Sequence, residues 1–252
     1  DVNGALPVSL TAAAQLLPTP YWQEWILGNW TAAFAVGRGC VIQAGPLRYG
    51  IYISRSAYIE TPPVTLGQNF TVVTAVKPRH AYSDAYGFTW LFIKVGAFWY
   101  GEISSAYEYG RSITYSVIDT LGNRRFIISL FQHSEKLRIF AHVGEYRASE
   151  DRYYIRIYLD GVLIGESTFT GQRGHTSTSV FRLGTGGGSV EQQLWYVAFA
   201  VYSRALSAAE VAVWRPEAPV GGGFEMYYYA HPQFVRDVDG DGVLEWLDLS
   251  GN

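Results

Sequence analysis

The sequence predicts an all-β fold, a two-sheet antiparallel sandwich with one short helix near its C-terminal end. Three observations lead there. Short apolar segments of alternating pattern recur from Val41 onward, separated by turn residues. Asp160-Gly161 lies between two such segments, a strong hairpin signal because both central residues of that turn need positive φ. Only Ser207-Ala208-Ala209-Glu210 carries a helix-start signature, a capping box in which hydroxyl and carboxylate satisfy the first free amides.

The elements follow in order. Up to about Trp30 the chain is mixed, with prolines at positions 7, 18 and 20. Phe70, Val72, Thr74 and Val76 alternate with Thr71, Val73, Ala75 and Lys77, which predicts a strand covered on one face. Phe88 to Val95 is a more continuous apolar run, as a central strand requires, and Ile113 to Ile118 and Phe126 to Phe131 flank Leu121-Gly122-Asn123. Leu137, Ile139, Ala141 and Val143 alternate with Arg138, Phe140 and His142. Leu194 to Tyr202 is a further long apolar strand, and Val211, Val213 and Trp214 complete the helix before Pro216. Pro219-Val220-Gly221-Gly222-Gly223 reads as a flexible linker. The aromatic tail from Phe224 to Asn252 is too short to bury its own apolar surface and must dock.

Composition narrows the classes. Hydrophobic residues make up 48% of the 252 and charged residues 16%, which excludes disorder and predicts a sizeable core. The 19 tyrosines and 8 tryptophans suit either a recognition surface or ordinary strand formation. A net charge of −3 with no basic run argues against nucleic acid and anionic membrane as partners. No apolar stretch approaches the roughly 18 residues that span a bilayer. Cys40 is the only cysteine, which removes internal disulfides, a structural zinc cluster and redox pairs, and reads as a buried small hydrophobe. Asn29-Trp30-Thr31 and Asn69-Phe70-Thr71 fit the N-glycosylation pattern, and the chain opens at Asp1 without Met, as a processed precursor or excised fragment would. These features point to an extracellular or cell-surface protein.

Asn69-Phe70-Thr71-Val72-Val73-Thr74-Ala75-Val76-Lys77-Pro78 resembles a strand motif of concanavalin-A-like, laminin-G-like domains. Tyr158 to Gly165 resembles their central hairpin, and Ala200-Val201-Tyr202-Ser203-Arg204-Ala205-Leu206-Ser207-Ala208-Ala209-Glu210-Val211 resembles their last strand and terminal helix. The resemblance covers about residues 40 to 215. It implies a jelly-roll topology and a role in glycan binding, adhesion or as a module of a larger extracellular protein. The expected organisation is an N-terminal segment or cap (1–35), a laminin-G-like jelly roll (36–217), a Gly-rich linker (218–223) and a C-terminal tail (224–252). Some relatives of such domains are glycoside hydrolases, which set carboxylates at alternate positions on one strand. The acidic residues here show no such spacing on an aromatic strand, and no Gly-x-Ser-x-Gly elbow or phosphate-cradling Gly-Lys loop occurs, so the chain is not expected to be an enzyme.

The tail carries the sharpest chemical pattern. Asp237, Asp239, Asp241, Glu245 and Asp248 fall at alternate and closing positions of a loop bent at Gly242. This matches an EF-hand or dockerin-like calcium loop in which Asp237, Asp239, Asp241, the Val243 carbonyl and Asp248 supply the oxygens that Ca²⁺ requires. The alternative is an acidic, solvated turn. Trp246 to Asn252 also resembles the segment that opens a laminin-G-like domain, of which Gly28-Asn29-Trp30 is a degenerate copy. The tail thus begins a second repeat, supplies an edge to a neighbouring copy, or folds back on its own domain. The functional expectation is a non-catalytic structural protein that polymerises head-to-tail with copies of itself by donating this tail, with calcium stiffening the joint. The alternative expectation is a lectin-like adhesion module that binds glycans through exposed aromatics such as Trp99 and Tyr100.

Overall fold

A computed structural model describes residues 59–78, 88–96, 101–108, 112–132, 136–174, 176–184, 194–230 and 249, with strand segments 23–26, 40–44, 49–53, 235–236 and 245–246. In chain order the strands are β1 (Gln23–Ile26), β2 (Cys40–Ala44), β3 (Tyr49–Ile53), β4 (Ile59–Glu60), β5 (Phe70–Pro78) and β6 (Phe88–Lys94). Then come β7 (Ile103–Glu108), β8 (Ser112–Ile118), β9 (Arg124–Leu130), β10 (Arg138–Arg147), β11 (Arg152–Leu159) and β12 (Val162–Thr170). β13 (Phe181–Leu183) and β14 (Leu194–Tyr202) precede the helix α1 (Ala208–Val213), and β15 (Phe224–Tyr229), β16 (Val235–Arg236) and β17 (Glu245–Trp246) follow it. One sheet has the order β1-β2-β3-β14-β5-β10-β11-β12, with β15 also paired to β14. The second runs β4-β13-β6-β7-β8-β9, and β16 pairs with β17. Neighbours are antiparallel throughout, so the all-β jelly-roll sandwich with one short helix is what the described residues form.

The main core lies between the sheets and joins Phe70, Val72 and Val76 of β5 to Leu91 and Phe92 of β6 and Ile113, Tyr115 and Val117 of β8. Tyr196 of β14 ties the two layers by donating its hydroxyl to the Leu91 carbonyl at 3.0 Å. A second cluster covers the outer face of the nine-stranded sheet, where Val73, Ala75, Ala141, Val143, Ala200 and Tyr202 meet Leu206, Val211, Trp214 and Tyr227. Strand β5 is therefore covered on both faces and not on one as its alternation suggests, because α1 and its flanking residues Leu206 and Trp214 form a third layer. In β10 the faces divide so that Phe140 joins the inter-sheet core and Ala141 and Val143 the outer cluster.

Local chemistry explains the joints. Asp160 and Gly161 have φ of 51° and 87°, the doubly positive turn that the hairpin between β11 and β12 demands. A Cβ on Gly161 would stand 2.9 Å from Ala212 Cα, so the turn also lets α1 pack closely. The capping box forms as expected, with Glu210 accepting from the Ser207 amide at 2.8 Å and Ser207 accepting from the Glu210 amide at 3.3 Å. Trp214 donates its indole N–H to the Tyr202 hydroxyl at 2.8 Å, which fixes the helix on its sheet. Beyond Gly221 the tail folds back on its own domain. β15 pairs with β14, sending Met226 and Tyr228 into the inter-sheet core and Tyr227 into the outer cluster, and the Leu249 amide donates to the Tyr227 carbonyl at 2.7 Å.

The core also holds an imidazole. His142 is fully buried, 2.8 Å from the Ser105 hydroxyl, with the rings of Phe92 and Tyr115 edge-on at 5.0 and 5.1 Å. Burial pushes its pKa from the ordinary 6.5 down to about 3, against a smaller raising contribution from the Val72 backbone. The unfolded chain thus takes up a proton here below pH 6.5 while the folded chain stays neutral down to about 3. Stability from neutral His142 is complete above that window and declines as the pH falls through it. A Ser105→Ala/His142→Leu variant should lose less thermal stability between pH 7 and pH 4.5 than the parent protein. Equal falls in Tm for the two proteins would contradict this account.

Candidate functional site

The outer face of the nine-stranded sheet changes character where the helix layer ends. Under α1 its rows carry Val143 on β10 and Tyr158 on β11. Further along the same rows come Glu145 and Arg147 on β10, Arg156 and Tyr154 on β11, and Glu166 and Thr168 on β12. The register sets Tyr154 opposite Glu145 and Thr168, and Arg156 opposite Val143 and Glu166. Each side chain is thus held by a ladder of paired strands and not by a loop.

The geometry is a half-buried tyrosine within a charge network. The Arg147 guanidinium lies 4.2 Å and that of Arg156 5.0 Å from the Tyr154 ring centroid, a cation–π arrangement. Arg156 donates to Glu145 at 2.6 Å and also to Glu166, while Arg147 donates to both Glu145 oxygens at 3.1 and 3.2 Å. The Tyr154 hydroxyl donates to Glu150 in the turn beyond β10. Burial alone would raise the Glu145 carboxyl, but hydrogen bonds from Arg147 and Arg156 outweigh it and hold the group below the ordinary carboxylate range. The hydrogen bond to Glu150 raises the Tyr154 phenol, which therefore stays protonated as a donor. The result is an aromatic ring flanked by two guanidinium groups that carboxylates hold in place, a polar patch of fixed donors and acceptors able to exchange hydrogen bonds with a hydroxyl-bearing ligand. Glu145, held low, is the opposite of the raised carboxylic acid that glycoside hydrolysis uses.

Two buried clusters have chemistry-bearing residues but face inward. Ser105 and His142 are the composition of a nucleophile–base pair, yet both are sealed in the core and an imidazole with a pKa near 3 accepts no proton at neutral pH. Lys94 and Glu102 form a buried ion pair at 3.1 Å. Lys94 also donates to the Ser177 carbonyl at 2.5 Å and the Ser179 hydroxyl at 2.8 Å, and Ser177 donates to the other Glu102 oxygen. Burial lowers the Lys94 pKa and Glu102 counters it. This cluster clasps the segment before β13 to β6.

Asn69 is the one site residue expected from the sequence that is described here. It is exposed, its Oδ1 accepting from the Tyr146 amide at 2.7 Å, while Thr71 of the same triplet is buried, donating to the Arg204 carbonyl at 3.0 Å. Asn29, Trp99, Tyr100, Asp237, Asp239, Asp241, Val243 and Asp248 lie outside the described residues. Among the described residues no group of three His, Cys, Asp or Glu stands together to hold a metal ion. The Tyr154 face was not found from the sequence. Its signal is the mirrored Glu145-x-Arg147 and Tyr154-x-Arg156 about the turn at Ala148 to Asp151. No helix among the described residues is long and apolar enough to cross a membrane.

A two-sheet antiparallel jelly roll of this topology defines a domain of the concanavalin A-like fold class. The chain belongs to the concanavalin A-like lectin/glucanases superfamily, matching its third laminin G family over residues 54–212. Comparison with curated proteins finds no match. Among solved structures, it is similar to the binding domain of botulinum neurotoxin serotype G, at 13% identity and TM-score 0.55, over 72% of this chain and 45% of that one. It is similar to botulinum neurotoxin type C, whose cell entry depends on interaction with two ganglioside molecules, at 10% identity and TM-score 0.55, over 77% and 45%. The binding domain of botulinum neurotoxin DC in complex with SialylT is similar at 12% identity and TM-score 0.55, over 71% and 44%. The chain spans less than half the length of these proteins, and the likeness is one of fold.

Glu102→Leu leaves the Lys94 ammonium buried without its carboxylate and should cost about 3–5 kcal/mol. Lys94→Met together with Glu102→Leu should recover much of that loss. Urea unfolding of the three proteins checks the pair, and a double variant no more stable than the single one would refute it.

Proposed function

We propose that this chain is a non-catalytic, extracellular carbohydrate-binding module that engages glycans on the outer face of β10, β11 and β12. One observation carries the reading. Tyr154 offers a half-buried ring on a rigid sheet, ringed by arginine donors and carboxylate acceptors already fixed by one another. A preorganised polar face loses little side-chain entropy when it meets a ring of hydroxyls. The family and the toxin binding domains for which gangliosides and SialylT are named support starting with sialylated glycans as probes. A glycan array probed with the parent chain and with Tyr154→Ala should show retention that falls about tenfold or more, some 1.4 kcal/mol, in the variant. Retention lost through Trp99→Ala or Tyr100→Ala, and kept by Tyr154→Ala, moves the site to those aromatics. A chain that retains no glycan overturns the reading.

A second reading, the filament subunit, is favoured by one feature of the tail. β15 follows Gly221, Gly222 and Gly223, the last two at positive φ, and pairs along one side of β14 in its own chain. The same pairing is open to β15 of a second copy, and such exchange need not close. Negative-stain microscopy of the full chain beside a variant ending at Gly221, both checked by circular dichroism, tests it. Fibres that vanish on truncation support strand donation, and compact single particles in both samples remove it.

A further inference from the structure

Seven large hydrophobic residues are exposed among the described residues, and four of them fall on β9 or the turn before it: Leu121 (83%), Phe126 (52%), Ile128 (56%) and Leu130 (79%). β9 is the last strand of the six-stranded sheet and pairs with β8 alone. The ladder shows which of its backbone groups that pairing uses. Asp119 donates its amide to the Asn123 carbonyl, so Asp119 and Asn123 are a bonded pair. Antiparallel pairs alternate, so Arg125, Ile127 and Ser129 turn their N–H and C=O to β8. Phe126, Ile128 and Leu130 turn theirs to the side on which no described strand pairs. Ile127 and Ser129 send their side chains inward, where Gly165 of β12 abuts them. β12 therefore packs against the core side of β9 without hydrogen-bonding its edge.

The only charges on this edge strand are Arg124 and Arg125 at one end, and Phe126 to Leu130 has none of the usual protection. From Arg124 to Leu130 there is no proline, glycine or lysine, and the register with β8 runs without a bulge. We propose that β9 pairs with β9 of a second copy of this chain, antiparallel about a twofold axis at Ile127, joining the two six-stranded sheets edge to edge. The register makes the strand complementary to itself. Phe126 lies opposite Ile128 of the other copy, twice, giving aromatic–β-branched pairs on the outer face, and these are the residues whose backbone groups point across the joint. The charges select the same arrangement. Arg124 and Arg125 are at one end and Phe126 to Leu130 carry none, so antiparallel pairing sets each Arg124 opposite an uncharged Leu130 and about 20 Å from its counterpart. Parallel pairing would place the guanidinium groups side by side.

Sedimentation velocity of the full chain tests this, run from about 1 μM to about 100 μM, where an association with Kd ~10 μM is mostly formed. The expected result is a dimer at the upper end, a monomer for Ile128→Lys and for Phe126→Glu, and Tm values of both variants close to the parent's, since the replaced side chains are exposed. A parent chain monomeric at every concentration overturns the proposal. So does an assembly that survives both substitutions, which would assign association to another surface.

Discussion

The nine-stranded sheet has two faces to bury and only one partner sheet with which to bury them. β5 and β14 run through its middle, and both alternate side-chain sets of each are withdrawn from water: Phe70, Val72 and Val76 on one face of β5, Val73 and Ala75 on the other. At roughly 25 cal/mol per Å² of apolar surface, a bare outer face would cost more than a small domain can absorb. A third layer is therefore required, and α1 with its flanking residues Leu206, Trp214 and Val220 provides it. The Trp214–Tyr202 bond, the capping box and the two hydrogen bonds of Thr71 to Arg204 and Leu206 hold that layer down. The tail is then part of the domain's own packing, since Met226 and Tyr228 reach the inter-sheet core and Tyr227 the outer cluster.

The extent of that layer decides where recognition can occur. α1 is only six residues long and reaches Val143 and Tyr158 but not Glu145 or Tyr154. Past its end the outer face meets water, and the residues change accordingly from aliphatic to charged. The arginines and carboxylates there pair with one another, two guanidinium groups serving three carboxylates. Pairs of this exposure contribute little stability singly. Their main effect is to fix the orientation of side chains around Tyr154, as the proposed glycan-binding reading requires.

The sequence carried the local elements and lost the non-local ones. The Asp160-Gly161 turn and the Ser207–Glu210 box are legible because the residues that make them are neighbours and their backbone demands are strict. The strand runs of β5 and β10 are legible from period-two patterning, and those of β8, β9 and β14 from apolar runs between turn residues. That patterning does not say which alternate set meets which layer. In β10 the polar-looking set containing His142 faces the core, where Ser105 from β7 satisfies one ring nitrogen, a partner 37 positions away. The Tyr154 face is a property of register between three strands, so the Glu145-x-Arg147 and Tyr154-x-Arg156 spacings do not announce it by themselves, whereas Trp99 and Tyr100 stand out in the sequence by residue type alone. The Asp237–Asp248 loop stands out in sequence because calcium ligation is a local pattern.

The two unoccupied surfaces differ in a way that separates their roles. The Tyr154 face is polar, internally paired and built on the outer side of the nine-stranded sheet. The β9 edge is apolar, and the backbone groups of Phe126, Ile128 and Leu130 face away from β8. A sugar offers hydroxyls and one weakly apolar ring face and gains little from an aliphatic strand. A β-strand offers backbone donors and acceptors at a fixed spacing and gains little from a patch of saturated ion pairs. The six-stranded sheet ends in β9 while the Tyr154 face stands on the opposite sheet, so joining two copies through β9 would leave both glycan faces uncovered. A module whose single-site affinity for sugars is low would then present two sites on one rigid body, and simultaneous engagement multiplies affinity without any new contact. On the two proposals together, the apolar edge and the polar face would act on the same physical problem, weak recognition of a repetitive surface.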